Sequence, residues 1–190
     1  MPIDLRIHAV ESAPEAAQAA LRHSLDNYGF VPNLHGVMAE APPILKAYKT
    51  LGELYAETSM SVLERQVVLL SISAFHGCDY CMAAHSMLAT MEKMPADVLE
   101  ALRAGTPIPD PKLEALRSFA TRMAESRGRV TPAEVEALKA HGYTEATVLE
   151  VVLAVGYKVL SNYVNHLKET PLDAPFTDFA WDRGADTAAA

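Results

Sequence analysis

Apolar residues recur every three to four positions along almost the whole of this chain. Nowhere do they alternate with polar residues across two runs joined by a hairpin turn. Segment 14–28 is rich in alanine and stops at Gly29, while 30–41, followed by Pro42 and Pro43, reads as a loop crossing the surface. Ile44, Leu45, Tyr48, Leu51 and Leu54 then mark one apolar face of a helix over 43–57. Ser61 and Glu64 form an S-x-x-E capping box ahead of the apolar run VVLLSISAF. The β-branched residues of that run also suit a strand. The cap in front of it and the continuation to Phe75 decide for helix. After Gly77 a further helix is expected to about residue 92, then short or medium helices over 95–103, 112–126 and 131–141. The third of these opens on a second capping box, Thr131-Pro132-Ala133-Glu134, with proline in the first turn. A long helix over 144–168 closes the pattern, and the Pro-bearing stretch after it reads as irregular.

The prediction is an all-α fold, oligomeric, in one helical domain over 1–182 with its core at 61–92, and a disordered tail over 183–190. A short apolar helix, a break and a second helix occur around 61–92 and again around 131–168, a weak internal repeat. At 190 residues the chain is long enough to bury a core without staples. The net charge of -8 and the lack of any Lys/Arg cluster argue against nucleic acid and against an anionic membrane surface. The start, MPIDLRIHAV, lacks the basic and apolar regions of a signal peptide, and no apolar stretch reads as a membrane span. A cytoplasmic location is expected, and there a C-x-x-C is more often catalytic or metal-binding than structural.

Both cysteines fall in one ten-residue stretch, HGCDYCMAAH, residues 76–85. With Cys78 at a helix start, Cys78, Cys81 and His85 share a face, and Cys81 and His85 are one turn apart. A helix N-terminus and a nearby imidazole both favour a thiolate, and a second thiol three residues away can close a disulfide. That is the equipment of two-electron thiol chemistry. Two alternatives stand beside it. The cysteines are small apolar core residues without chemistry, or His76, Cys78, Cys81 and His85 bind zinc. The zinc spacing is poor, because Cys78 and His85 lie about 10 Å apart along one helix axis.

The segment QVVLLSISAFHGCDYCMAAH resembles the core motif of the alkylhydroperoxidase D-like family, within the carboxymuconolactone decarboxylase superfamily. An apolar helix is followed by C-x-x-C-x-x-x-H, carried here by Cys78, Cys81 and His85 after Gly77. FVPNLHGVMAEAPPILKAYKTLGELY looks like the lead-in to that core, and SNYVNHLKETPLDAPF like the ending of the peroxidase-related subgroup. The resemblance implies an all-α chain assembling as a dimer, trimer or larger homo-oligomer. It implies a hydroperoxide reductase in which Cys81 attacks the peroxide, Cys78 resolves and His85 belongs to a proton relay. The substrate would be a small peroxide or a disulfide, with an external thiol reductant and no metal or other cofactor. The decarboxylase branch lacks the cysteine pair, so a decarboxylase- or isomerase-like reaction is the less favoured alternative. A zinc- or ligand-binding helical oligomer without turnover is the other.

One position departs from the family pattern. The relay there begins with a glutamate twelve residues before the first cysteine, and this chain has Gln66. Glutamine can orient an imidazole but cannot accept a proton as a carboxylate does. Glu64, nearby, reads as the cap of its helix or, alternatively, as a substitute base. The 144–168 helix also carries Glu150, Lys158, Asn162, Asn165 and His166 in an apolar setting. They read either as solvated or satisfied polar groups, or as a stripe lining the thiol pocket. Tyr80 and Met82 are expected at an interface.

Overall fold

A computed structural model of the chain describes residues 3–182 and shows nine α-helices among them. They are α1 (Glu15–Tyr28), α2 (Asn33–Met38), α3 (Pro42–Ala56), α4 (Val62–His76), α5 (Asp79–Met91), α6 (Ala96–Ala104), α7 (Pro111–Ser126), α8 (Pro132–Ala140) and α9 (Glu145–Lys168). Short 3-10 turns at Val10–Ser12 and Ala174–Phe179 flank them, and no strand occurs among the described residues. The all-α expectation is therefore met. The expected tail at 183–190 lies outside the described residues.

Helix boundaries follow local chemistry. Glu64 N–H donates to Ser61 Oγ while Ser61 N–H donates to Glu64 Oε2, so the first capping box forms as its spacing requires. Thr131 and Glu134 close the second in the same way. α4 ends at Gly77, whose φ of 68° is left-handed, and Cys78 N–H reaches back to the Ser73 carbonyl. This Schellman-type ending turns the chain so that Cys78 becomes the N-cap residue of α5.

Residues 33–38, expected as loop, are helical instead. One and a half turns between prolines are too short for periodicity to register. Gly36 sits there because the N-terminal segment crosses it: His8 N–H donates to the Gly36 carbonyl, and a Cβ at 36 would stand 2.7 Å from the His8 carbonyl oxygen.

α4 is the central helix. Val67, Val68, Leu70 and Ile72 are fully buried, and α5, α6, α7 and α9 pack around it. Each such side chain contributes about 1.5–3 kcal/mol of transfer free energy. Among the described residues, α9 alone has the length and apolarity of a membrane span. Its inner face carries Lys158, Ser161, Asn162 and Asn165, all buried, and it packs on α2, α3, α4 and α7. The helix is thus a wall of the core, and the polar part of that wall faces the cysteines.

Candidate active site

The turn at Gly77 and the first turn of α5 bring both cysteines against α9. Asn165 Nδ2 lies 3.3 Å from Cys81 Sγ and 3.7 Å from Cys78 Sγ. One amide thus touches both sulfurs. Both cysteines are free thiols with exposures of 1% for Cys78 and 3% for Cys81. A place at the helix start does not make Cys78 the more accessible of the two. Its place at the helix start is covered by α9 and by the C-terminal segment, whose Phe176 belongs to the same apolar cluster.

The two thiols are not equivalent. The hydrogen bond given to Cys81, reinforced by burial, pushes the Cys78 thiol up. Burial opposes ionisation of Cys81 too, but the Cys78 hydrogen bond, the Lys158 charge and Ser161 outweigh it and hold Cys81 well below the ordinary thiol range. Cys78 is thus the thiol that holds its proton, and Cys81 the one that gives it up more readily.

Gln66 and His85 come together as expected. Gln66 Nε2 donates to Glu92 Oε2 at 2.9 Å, which leaves Oε1 for the imidazole. Oε1 lies 3.0 Å from His85 Nδ1. His85 therefore carries its proton on Nδ1, and its Nε2 has a free lone pair. Burial and the Lys158 charge both hold the His85 pKa well below its ordinary value, so the imidazole is neutral at neutral pH. Glu92 had no signal in the sequence: it sits at the far end of α5 and enters through Gln66 alone.

Lys158 belonged to the polar stripe noted in the sequence, and its side chain is completely buried. Its ammonium acts on Cys78, Cys81 and His85 together. The spacing 158, 161, 165 put Lys158, Ser161 and Asn165 on one face. The rest of the stripe goes elsewhere. Glu150 accepts from Ser59 N–H at 2.7 Å and from Ser59 Oγ at 2.8 Å, which ties α9 to the loop before α4. Asn162 Oδ1 accepts from His76 Nδ1 at 2.8 Å, and His166 is exposed. Glu64 is held by its cap and by Lys112, 2.8 Å away, which bring its carboxyl to about 2 against the opposing effect of burial.

Tyr80, between the cysteines, is buried within the subunit rather than at an interface, and so is Met82. Tyr80 Oη donates to Asp173 Oδ2 at 2.5 Å. Tyr48 and Tyr157 stack with ring centroids 4.8 Å apart, and both phenols feel the Cys81 charge. Among the described residues no group of three or more His, Cys, Asp and Glu side chains is placed to share a metal ion.

This arrangement of helices is the alkylhydroperoxidase D-type fold. It matches the crystal structure of an alkylhydroperoxidase AhpD core, a peroxidase-related protein from Ralstonia eutropha JMP134, with a TM-score of 0.78 at 23% identity, over 90% of this chain and 92% of that one. A peroxidase-related protein from Silicibacter sp. TM1040 matches with a TM-score of 0.76 at 20% identity, over 92% and 95%. The debrominase Bmp8, as a variant in complex with 2,3,4-tribromopyrrole, matches with a TM-score of 0.76 at 18% identity, over 94% and 96%. No curated protein matches the chain. A sequence profile of the carboxymuconolactone decarboxylase family matches residues 42–122, the stretch that holds both cysteines, Gln66 and His85. That stretch of the chain is similar to the carboxymuconolactone decarboxylase family, and the whole chain shares its fold with the alkylhydroperoxidase-like structures.

Proposed function

We propose that the protein is a thiol-dependent hydroperoxide reductase. The observation that carries this reading is the shared contact of Asn165 Nδ2 with both sulfurs, beside a cation that favours the Cys81 thiolate. Cys81 attacks the peroxide. An S–O bond forms, the O–O bond breaks, and the leaving alkoxide or hydroxide takes up a proton. Cys78 then attacks the Cys81 sulfenic acid, an S–S bond forms and water leaves. An external dithiol or pair of thiols reduces the disulfide. His85, neutral and fixed in one tautomer by Gln66, passes protons at Nε2. Burial of both sulfurs favours a small peroxide.

Intact mass under non-reducing conditions tests this, before and after one equivalent of peroxide. Loss of two hydrogens supports the cycle. An unchanged mass, or a tightly bound zinc ion, overturns it. The fold shared with a debrominase bound to a bromopyrrole supports a second reading, reductive dehalogenation by the same thiolate, with a halogen in place of the peroxide oxygen. The same mass measurement with a brominated pyrrole in place of peroxide separates the two.

A further inference from the structure

Three of the buried polar atoms without a hydrogen-bond partner lie on one face of α9 near the cysteines: Lys158 Nζ, Asn162 Nδ2 and Asn165 Oδ1. Lys158 is the extreme case, with 0% exposure and no partner for its three N–H donors. A buried ammonium without a counter-charge is strongly disfavoured, so it must be paired or lose its proton. The groups on which its charge acts are Cys78 at the start of α5 and Cys81 and His85 within that helix. Tyr80 from α5, Tyr48 from α3 and Tyr157 from α9 surround the Cys81 sulfur. None of the leading electrostatic influences on Cys78, Cys81 or His85 is a carboxylate. Glu92 reaches this group only through Gln66. The counter-charge available to Lys158 is the Cys81 sulfur.

We infer that Lys158 is the proton store of the thiol cycle, charged when the cysteines are reduced and neutral when they are joined. In the reduced protein, the Lys158 ammonium and the Cys81 thiolate neutralise each other. When the thiolate attacks R–O–OH, its negative charge leaves with the departing oxygen. Lys158 then stands as an uncompensated buried cation and gives its proton to that oxygen. The products are Cys81–S–OH, ROH and a Lys158 amine. Cys78 condenses with the sulfenic acid to give the disulfide and water. A dithiol then returns two electrons and two protons, one to the Cys78 sulfur and one to Lys158 as the Cys81 thiolate reappears. His85 is the poorer store, since burial and the Lys158 charge hold its pKa well below the ordinary value. It conducts a proton better than it holds one.

The inference rests on Cys78/Cys81 cycling, so its test uses a dithiol and no peroxide. The equilibrium of the protein with dithiothreitol is measured between about pH 6 and 8, where that reagent's thiols remain protonated. Thiolate absorbance near 240 nm is followed in parallel. With Lys158 as the store, the wild type shows the thiolate at pH 7 while its dithiothreitol equilibrium stays constant with pH. If the proton escapes to solvent instead, the equilibrium changes about tenfold per pH unit, and the proposal falls. Lys158→Met, similar in length and uncharged, should lose the neutral-pH thiolate absorbance, and Lys158→Arg should restore it. An unchanged thiolate titration in Lys158→Met, or no thiolate in the wild type at pH 7, would overturn the role of Lys158. Failure to form any disulfide would sink the thiol-cycle reading itself.

Discussion

His85 Nδ1 and Gln66 Oε1 stand 3.0 Å apart, and the other end of the Gln66 amide is held by Glu92. The carboxylate that the family pattern places directly beside the relay is here displaced by one amide. It can fix the direction of the Gln66 side chain, and through it the His85 tautomer. It cannot take the imidazole proton.

This relationship decides what Gln66→Glu would do. Alone, it sets two carboxylates against each other, and their repulsion opposes the geometry that holds His85. The double exchange Gln66→Glu with Glu92→Gln keeps a donor–acceptor pair and brings the negative charge to His85. Stopped-flow oxidation by peroxide near pH 7 should be faster in the double variant than in either single one. Equal or slower oxidation in a folded double variant counts against the proposed relay.

The asymmetry of the thiols predicts how each cysteine variant reacts. Cys78→Ser should consume one equivalent of peroxide and retain a sulfenic acid on Cys81, trapped by dimedone and read by mass. Cys81→Ser should react slower by about tenfold or more, because Cys78 stays buried and has lost the neighbouring thiol, with the Lys158 charge alone left to favour its thiolate. Faster dimedone labelling at Cys78 than at Cys81 would reverse the assignment.

His35 governs part of the acid stability. It is buried, 2.9 Å from Ser24 Oγ, and burial followed by the Lys49 charge lowers its pKa to about 3. Unfolded, it titrates near 6.5. Between those values the unfolded chain binds a proton that the folded one refuses. Stability is therefore complete above about pH 6.5 and falls as pH drops, by up to about 1.4 kcal/mol per unit from this group. His35→Gln, which keeps a partner for Ser24, should flatten the pH dependence of urea midpoints between about pH 4 and 6. A slope unchanged from wild type would contradict the buried neutral histidine.

Assembly should run through α9. Leu149, Val152, Gly156 and Tyr163 follow one another at steps of three, four and seven on its outer face, and all four are exposed. A Cβ at Gly156 would meet nothing within 4 Å. The family resemblance calls for a homo-oligomer, and this stripe is the apolar surface suited to a second copy of the chain. Val152→Glu should lower the mass measured by light scattering without changing the helical circular dichroism. A wild-type monomer, or an unaltered oligomer in the variant, would refute it.

Most of the fold was legible because its signals are local. Ser61 with Glu64 and Thr131 with Glu134 announced helix starts, and Gly29, Gly77, Gly105 and Gly142 marked stops. The α2 helix was missed because its short run depends on the N-terminal segment lying over Gly36, a contact made through space. The cysteine pair and His85 were readable from spacing within one helix. Lys158 and Asn165 were visible as polar residues in an apolar helix, but only packing shows which of the stripe meets the sulfurs and which meets Ser59 or His76. Glu92 was invisible: 26 residues separate it from Gln66, and no local pattern links them.

Asp173 accepts from Tyr80 and from the backbone N–H of Asn33, so one carboxylate fastens the C-x-x-C helix to both the start of α2 and the C-terminal turn. A protein reductant is too large to reach sulfurs this deep without that fastening coming apart. On the proposed cycle a small peroxide would enter as a solute, whereas regeneration by a protein would need a sub-global opening of the kind that hydrogen exchange detects. Oxidation and reduction would then answer to different clocks, the first set by chemistry at Cys81 and the second by how often the Asp173 latch lets go.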